Sequence, residues 1–168
     1  MSRRSMLILG FSAWLVVLPL VHAALPWGLS HLTQRWGWVD GRPGLWNLPG
    51  LFAVAAGSLC LAWIFLIGLM RLDRIPEKVE WMVSPYLLTE GPYALTRNPM
   101  YVSALLLWSG WALFYGSWAV LIGFLALGAL SFIVVPREER GLEKRFGETY
   151  LRYKKAVPRW VGKRHHVR

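Results

Sequence analysis

The chain has 168 residues, 55% of them hydrophobic, with eleven tryptophans and a net charge of +10. A soluble domain of this length can bury a core without needing charge-free runs as long as those found here. The basic total does not point to nucleic acid, because no helix-turn-helix, zinc-finger or aromatic RNA-binding pattern accompanies it and the charge lies beside apolar runs.

Residues 5 to 34 contain no Asp, Glu, Lys or Arg. A bilayer core of roughly 30 Å needs about 20 apolar helical residues, so one span is expected near residues 6–27. Arg3, Arg4, the run Met6 to Leu20 and then Val21-His22-Ala23 resemble a secretory signal with a small-residue cleavage site. The run continues apolar through Trp27, and a retained helix is the expectation. The loop from Gly28 to Gly44 is surrounded by Trp27, Trp36, Trp38 and Trp46. Tryptophans so placed are interfacial anchors and are assigned no chemistry.

Residues 43 to 70 form the second charge-free run, with a span expected near 45–70. Cys60 lies inside it and is the single cysteine, which excludes a disulfide or a cysteine cluster. Residues 98 to 136 form the third run. As helix it is roughly 58 Å long, too much for one crossing and about right for two. The break falls at Tyr115-Gly116-Ser117, giving spans near 99–114 and 118–135. The fold class expected is an all-α membrane protein, one domain over residues 1–168. It has four transmembrane helices, a cytoplasmic loop 71–98 and a cytoplasmic amphipathic helix in the tail 136–160.

With four spans, the N-terminus, the loop and the tail share one side. That side holds 17 of the 19 basic residues and leaves Arg35 and Arg42 opposite. By the positive-inside bias both termini are cytoplasmic. Three or five spans lose this asymmetry. Anionic lipid headgroups are the expected partner of the basic tail.

The stretch GPYALTRNPMY, residues 91 to 101, stands at the mouth of the third span. Asn98 followed by Pro99 is a helix start, since Asn is a preferred N-cap and Pro is favoured at the first helical position. Such an end exposes unpaired N–H groups and a partial positive charge, a seat for a carboxylate or phosphate that Arg97 strengthens. Gly91-Pro92 reads as a turn. In the tail, Pro136 is expected to kink or restart the helix. Beyond it Leu142, Phe146, Tyr150, Tyr153 and Val157 fall on one helical stripe, with Arg140, Lys144, Arg152 and Lys155 mainly elsewhere. Glu138 falls on that stripe, where a carboxylate is either paired or committed to a ligand. Glu139 is expected to point with Glu143 to the polar side and to be solvated. His22, His31, His165 and His166 have no metal-ligand spacing, and no G-x-G-x-x-G, P-loop or nucleophile elbow is present.

GPYALTRNPMY followed by EERGLEKRFGETYLRYKKAVPRW resembles the isoprenylcysteine carboxyl methyltransferase and phospholipid methyltransferase superfamily of integral membrane enzymes. The resemblance covers roughly residues 85 to 160, and the N-terminal half matches only in being hydrophobic. It implies S-adenosylmethionine as cofactor and a lipophilic, membrane-embedded methyl acceptor. It implies cofactor contacts from Leu87, Leu88, Tyr93, Asn98, Pro99, Met100, Tyr101 and Glu138, with Arg97 and Glu138 as catalytic residues and no metal. Asn98 stands where the eukaryotic branch usually has His, which implies a bacterial member and an inner-membrane location. Val134 stands where that branch has a substrate-binding arginine, so a prenylcysteine carboxylate lacks that partner. The alternatives are a phospholipid amine N-methyltransferase and a non-catalytic membrane protein that retains the fold. Cofactor binding discriminates the last from the first two.

The charge asymmetry generates a topological prediction. Reporter fusions after Thr33, Lys78, Tyr115 and Arg168 are expected to read outside, inside, outside and inside. An inside signal after Tyr115 overturns the hairpin.

Overall fold

The structure is a computed structural model that describes residue 12 and residues 14–71 and 86–162. The expected helix start at Met6, Arg3 and Arg4, the loop residues Arg74 and Lys78, and His165 and His166 lie outside the described residues.

The first element is the apolar helix α1, Trp14–Ser30. Its middle, Leu20–Ala24, is wound as a π-helix before the regular turn Leu25–Ser30. Pro26 has no N–H to give to the carbonyl of His22 four residues earlier. That oxygen accepts from the Trp111 indole at 2.6 Å, and the His22 Nδ1 accepts from the Trp108 indole at 3.2 Å. The proline gap thus becomes a docking point.

A two-residue hairpin follows, β1 (Trp38–Val39) against β2 (Arg42–Pro43), with Trp38 opposite Pro43 and Val39 opposite Arg42. Its turn has positive φ at Asp40 (49°) and Gly41 (74°), the Asp-Gly signature of a tight turn. Trp38 leaves the set of interfacial tryptophans: it stacks on Tyr115, and its indole donates to the Phe114 carbonyl at 3.0 Å. Trp27, Trp36 and Trp46 remain exposed.

Helix α2 runs Pro49–Met70, beginning four residues later than the apolar run because 45–48 form turns. Helix α3 runs Pro99–Tyr115 and α4 runs Trp118–Phe146. They meet where the sequence places the break: Gly116 caps α3 in the left-handed region, and the Ser117 hydroxyl accepts from the Val120 N–H at 3.4 Å. Of the two expectations for Pro136, the restart is not met, because α4 runs through it unbroken. One missing N–H removes one ladder bond. Val135, wholly buried, and Glu139, held by ion pairs, secure the helix on either side of it. The stop comes instead at Gly147, with φ 52°, and the short helix α5 (Glu148–Ala156) folds back. The amphipathic stripe is therefore divided between two helices. Tyr150, Tyr153 and Val157 pack with Leu87, Leu142 and Phe146 into one buried cluster that faces protein.

Helices α2 and α3 cross closely because small residues meet. A Cβ placed on Gly57 meets the Ser103 carbonyl at 2.8 Å, and one on Gly110 meets the Gly50 carbonyl at 2.6 Å. A Cβ on Gly123 runs into the Trp108 ring, whereas at Gly128 the nearest atom is Leu105 at 3.9 Å.

Pro49–Met70 and Trp118–Phe146 are long and apolar enough to cross a membrane. Their most apolar windows are only 11% and 17% buried, the reverse of a soluble core helix. Phe52, Leu59, Ile122, Leu130 and Phe132 are all more than half exposed. Apolar surface turned outward on this scale marks a lipid-facing protein.

The glycine contacts make a stability prediction. Gly110→Val is expected to lower the unfolding temperature in detergent by several degrees, the loss expected of an overpacked contact of about 1–3 kcal/mol. Gly128→Ala is expected to be neutral. Equal melting for the two variants contradicts the close crossing.

Candidate active site

The cavity that gathers the candidate residues lies where α3 begins and α4 leaves its apolar stretch. Tyr86, Leu87 and Leu88 form one wall. Tyr93 and Arg97 come from the turn 91–97, and Asn98, Pro99, Met100 and Tyr101 from the start of α3. Glu138 and Leu142 come from α4 and Tyr153 from α5. All the sequence-predicted site residues therefore share one cavity. Tyr86, Leu142 and Tyr153 join them. Leu142 and Tyr153 carried a signal as members of the apolar stripe, whereas nothing local marks Tyr86.

The turn forms because Gly91, at φ 59°, opens a short 3-10 helix, Gly91–Ala94. The Tyr153 hydroxyl donates to the Tyr93 carbonyl at 2.6 Å and ties α5 to it. Helix α3 starts at Pro99 as expected, but Asn98 does not cap it with its side chain. Its amide donates instead to Glu139 Oε1 and to the Arg159 carbonyl, each at 3.1 Å.

Glu139 overturns an expectation. It is 2% exposed, not solvated. Arg159 donates through Nε and Nη2 to its Oε2 at 3.1 and 2.9 Å, and Arg97 Nη2 stands 3.5 Å from its Oε1. The reason is the chain reversal at Gly147, which brings residues 157–160 over that face of α4. There the Arg97 N–H donates to the Pro158 carbonyl at 2.9 Å, and the Thr96 hydroxyl to the Arg159 carbonyl at 2.9 Å. Glu143 pairs with Lys154. A helix read alone cannot reveal this strap, although Pro158, just after the last residue of the apolar stripe, is a local sign of the helix's end.

Arg97 is not a snorkelling side chain. Only 8% of it is exposed, and its Nε and Nη1 have no hydrogen-bond partner among the described residues. Glu138, one position from Glu139, is exposed to the cavity and accepts from the Tyr101 hydroxyl at 2.9 Å. The cavity is thus lined by Arg97, whose two unpartnered donors are buried beneath it, by one carboxylate, and by aromatic and aliphatic walls. Burial pushes the Tyr93 hydroxyl up to about 12. Tyr150 is also raised to about 12, first by burial and then by the Glu139 charge. Both stay neutral at physiological pH and are not bases; the Tyr150 hydroxyl is buried without a hydrogen-bond partner among the described residues.

A second crevice lies at the far end of α3 and α4, lined by Trp36, Leu113, Trp118, Leu121 and Phe124 among others. Among the described residues no ionisable side chain lines it. Among the described residues no group of His, Cys, Asp or Glu could hold a metal.

Compared with known families, residues 50–149 match the phospholipid methyltransferase model. The match covers more than half of the chain and reaches back through α2. No curated protein and no solved structure matches the chain. The apolar helices, the cavity at their polar end and this match agree, and the chain belongs to the phospholipid methyltransferase family of integral membrane methyltransferases.

Proposed function

We propose that the protein transfers a methyl group from S-adenosylmethionine to a lipophilic, membrane-embedded acceptor. The observation that carries the reading is Arg97, buried at the cavity with two unpaired donors. Arg97 has one long ion pair, to Glu139, and buried donors left without partners are costly unless a ligand anion completes them. The amino-acid carboxylate of the cofactor is such an anion. Glu138 is the acidic residue lining the cavity and suits a cationic group, while Tyr93, Met100, Leu87 and Leu88 offer flat and apolar surface to an adenine. The residues present fit the cofactor.

When bound, S-adenosylmethionine supplies an electrophilic methyl group on a sulfonium. The chain's own part is then to hold, align and exclude water. Arg97 anchors one end, Glu138 neutralises positive charge, and Leu87, Leu142 and Tyr153 keep the cavity dry. Such a transfer needs a base only when the acceptor carries a proton to lose.

Four crossings with cytoplasmic termini fit this reading. Arg71, Arg97 and Arg159 lie at the cavity end of the bundle, and Arg35 and Arg42 at the hairpin end. Helix α3 has 17 residues, about 25 Å, so it spans only if the bilayer thins or flanking residues reach the interface. A charged cofactor then arrives from water and the acceptor laterally from the inner leaflet. Lys144, Arg152 and Lys155, exposed on the tail, face anionic headgroups.

An amine-bearing phospholipid is the second reading for the acceptor, favoured by Glu138. The cavity offers that carboxylate to a cationic headgroup, and Val134 supplies no cation to an acidic one. An isoprenylcysteine-like acid is the competing acceptor, and its methylation by the purified protein overturns the amine reading.

Two measurements test the proposal. Glu138→Gln is expected to weaken S-adenosylmethionine binding, measured by calorimetry in detergent, by about 1.5 kcal/mol or roughly tenfold. Unchanged affinity removes Glu138 from the cofactor site. Shortening the acceptor's tail is expected to cost about 0.8 kcal/mol in turnover per buried methylene. A water-soluble acceptor methylated as fast as a lipid-tailed one with the same headgroup rules out lateral access.

A further inference from the structure

We infer that Arg159 is a positioning residue that keeps Arg97 free to bind the cofactor carboxylate, an inference that rests on the cofactor reading above. Two guanidiniums meet one buried carboxylate at Glu139, and they do not share it equally. Arg159 places both Nε and Nη2 on Oε2, at 3.1 and 2.9 Å. Asn98 takes Oε1 at 3.1 Å. Arg97 is left at 3.5 Å from Oε1, longer than a good charge-assisted hydrogen bond. It is also the more deeply buried of the two, 8% exposed against 39%. The cation most in need of a partner therefore has the weakest internal one.

The strap enforces that division. The carbonyls of Pro158 and Arg159 accept from Arg97 N–H, Thr96 Oγ1 and Asn98 Nδ2. The Trp160 ring packs on Phe132 with centroids 5.6 Å apart. Arg159 thus reaches Glu139 from a backbone already fixed, at small entropic cost. Without its guanidinium, Oε2 loses both donors, and Arg97 Nε and Nη1 are the nearby donors without partners. Glu139 then pairs with Arg97, and a ligand carboxylate has to compete with an internal one.

Calorimetry on the full-length protein in detergent with two probes tests this. S-adenosylhomocysteine carries the amino-acid carboxylate, and methylthioadenosine keeps the nucleoside and thioether but lacks it. Arg159→Gln is expected to weaken S-adenosylhomocysteine roughly tenfold and leave methylthioadenosine unchanged. Arg159→Lys, which keeps a cation and the strap's backbone bonds but not the fork, is expected to lie between. In a Glu139→Gln background, Arg159→Gln is expected to have no further effect on the ratio of the two affinities. A parallel loss for both probes means that the strap has only detached, and overturns the inference. So does an unchanged ratio in either Arg159 variant. Wild-type protein that binds neither probe overturns the cofactor reading itself, and the inference with it.

Discussion

A carboxylate almost wholly removed from solvent must be matched, and Glu139 is the point on which the rest of the site depends. Glu139 stands in the body of α4, and its partners come from two other places in the chain: Arg97 and Asn98 where α3 begins, and Arg159 in the segment after α5. Removing a charge from water costs several kcal/mol per ion, and the internal attraction only offsets this when the geometry and the remaining hydrogen bonds are good. Here Asn98 and the forked Arg159 supply those bonds. The gain is in specificity: one register of α4 against α3 satisfies the carboxylate, and that register also brings Glu138 to Tyr101.

The bundle beneath supplies a rigid frame by a different mechanism. In lipid there is little hydrophobic drive between helices, so close backbone approach and interhelical hydrogen bonds decide which faces meet. Gly50, Gly57 and Gly110 let α2 and α3 touch through backbone atoms. The vacated His22 carbonyl and the Trp111 indole join α1 to α3. The polar atoms inside the bundle either join helices or, as at Ser103 and Ser131, bond back to their own helix, and the surface left outside is apolar. Among the described residues the charge then collects at the two ends.

How much of this was legible follows from how local each signal is. The break at Tyr115–Ser117 and the helix start at Pro99 were readable because glycine, serine and proline act within their own turn. The cavity residues were readable because GPYALTRNPMY and the glutamate pair carry a family pattern. Pro136 does not restart the helix because proline's effect depends on what packs beside it, and Val135 and Glu139 hold both sides. Glu139 misled because helical periodicity assigns a face without saying what covers it. Its cover arrives from twenty residues downstream, after a reversal at Gly147 that no apolar pattern announces. Trp38 was misread for the same reason: an aromatic beside a span is an anchor only where no protein surface claims it first.

Adjacent carboxylates on one helix point about 100° apart, and the site uses that angle. Glu139 turns toward protein and is neutralised chiefly by the forked Arg159, so it contributes geometry and almost no free negative field. Glu138 turns toward the cavity, where its described partner is a neutral phenol and its charge stays available. Arg97 stands 3.5 Å from Glu139 and lines the same cavity as Glu138, with its Nε and Nη1 unpartnered among the described residues. Had Glu139 paired fully with Arg97, the cavity would hold one uncompensated carboxylate and favour cations alone. With Arg159 absorbing that carboxylate, the cavity keeps one positive and one negative group. A zwitterionic ligand with a further cationic centre needs that pattern, and on the proposed reading S-adenosylmethionine is such a ligand.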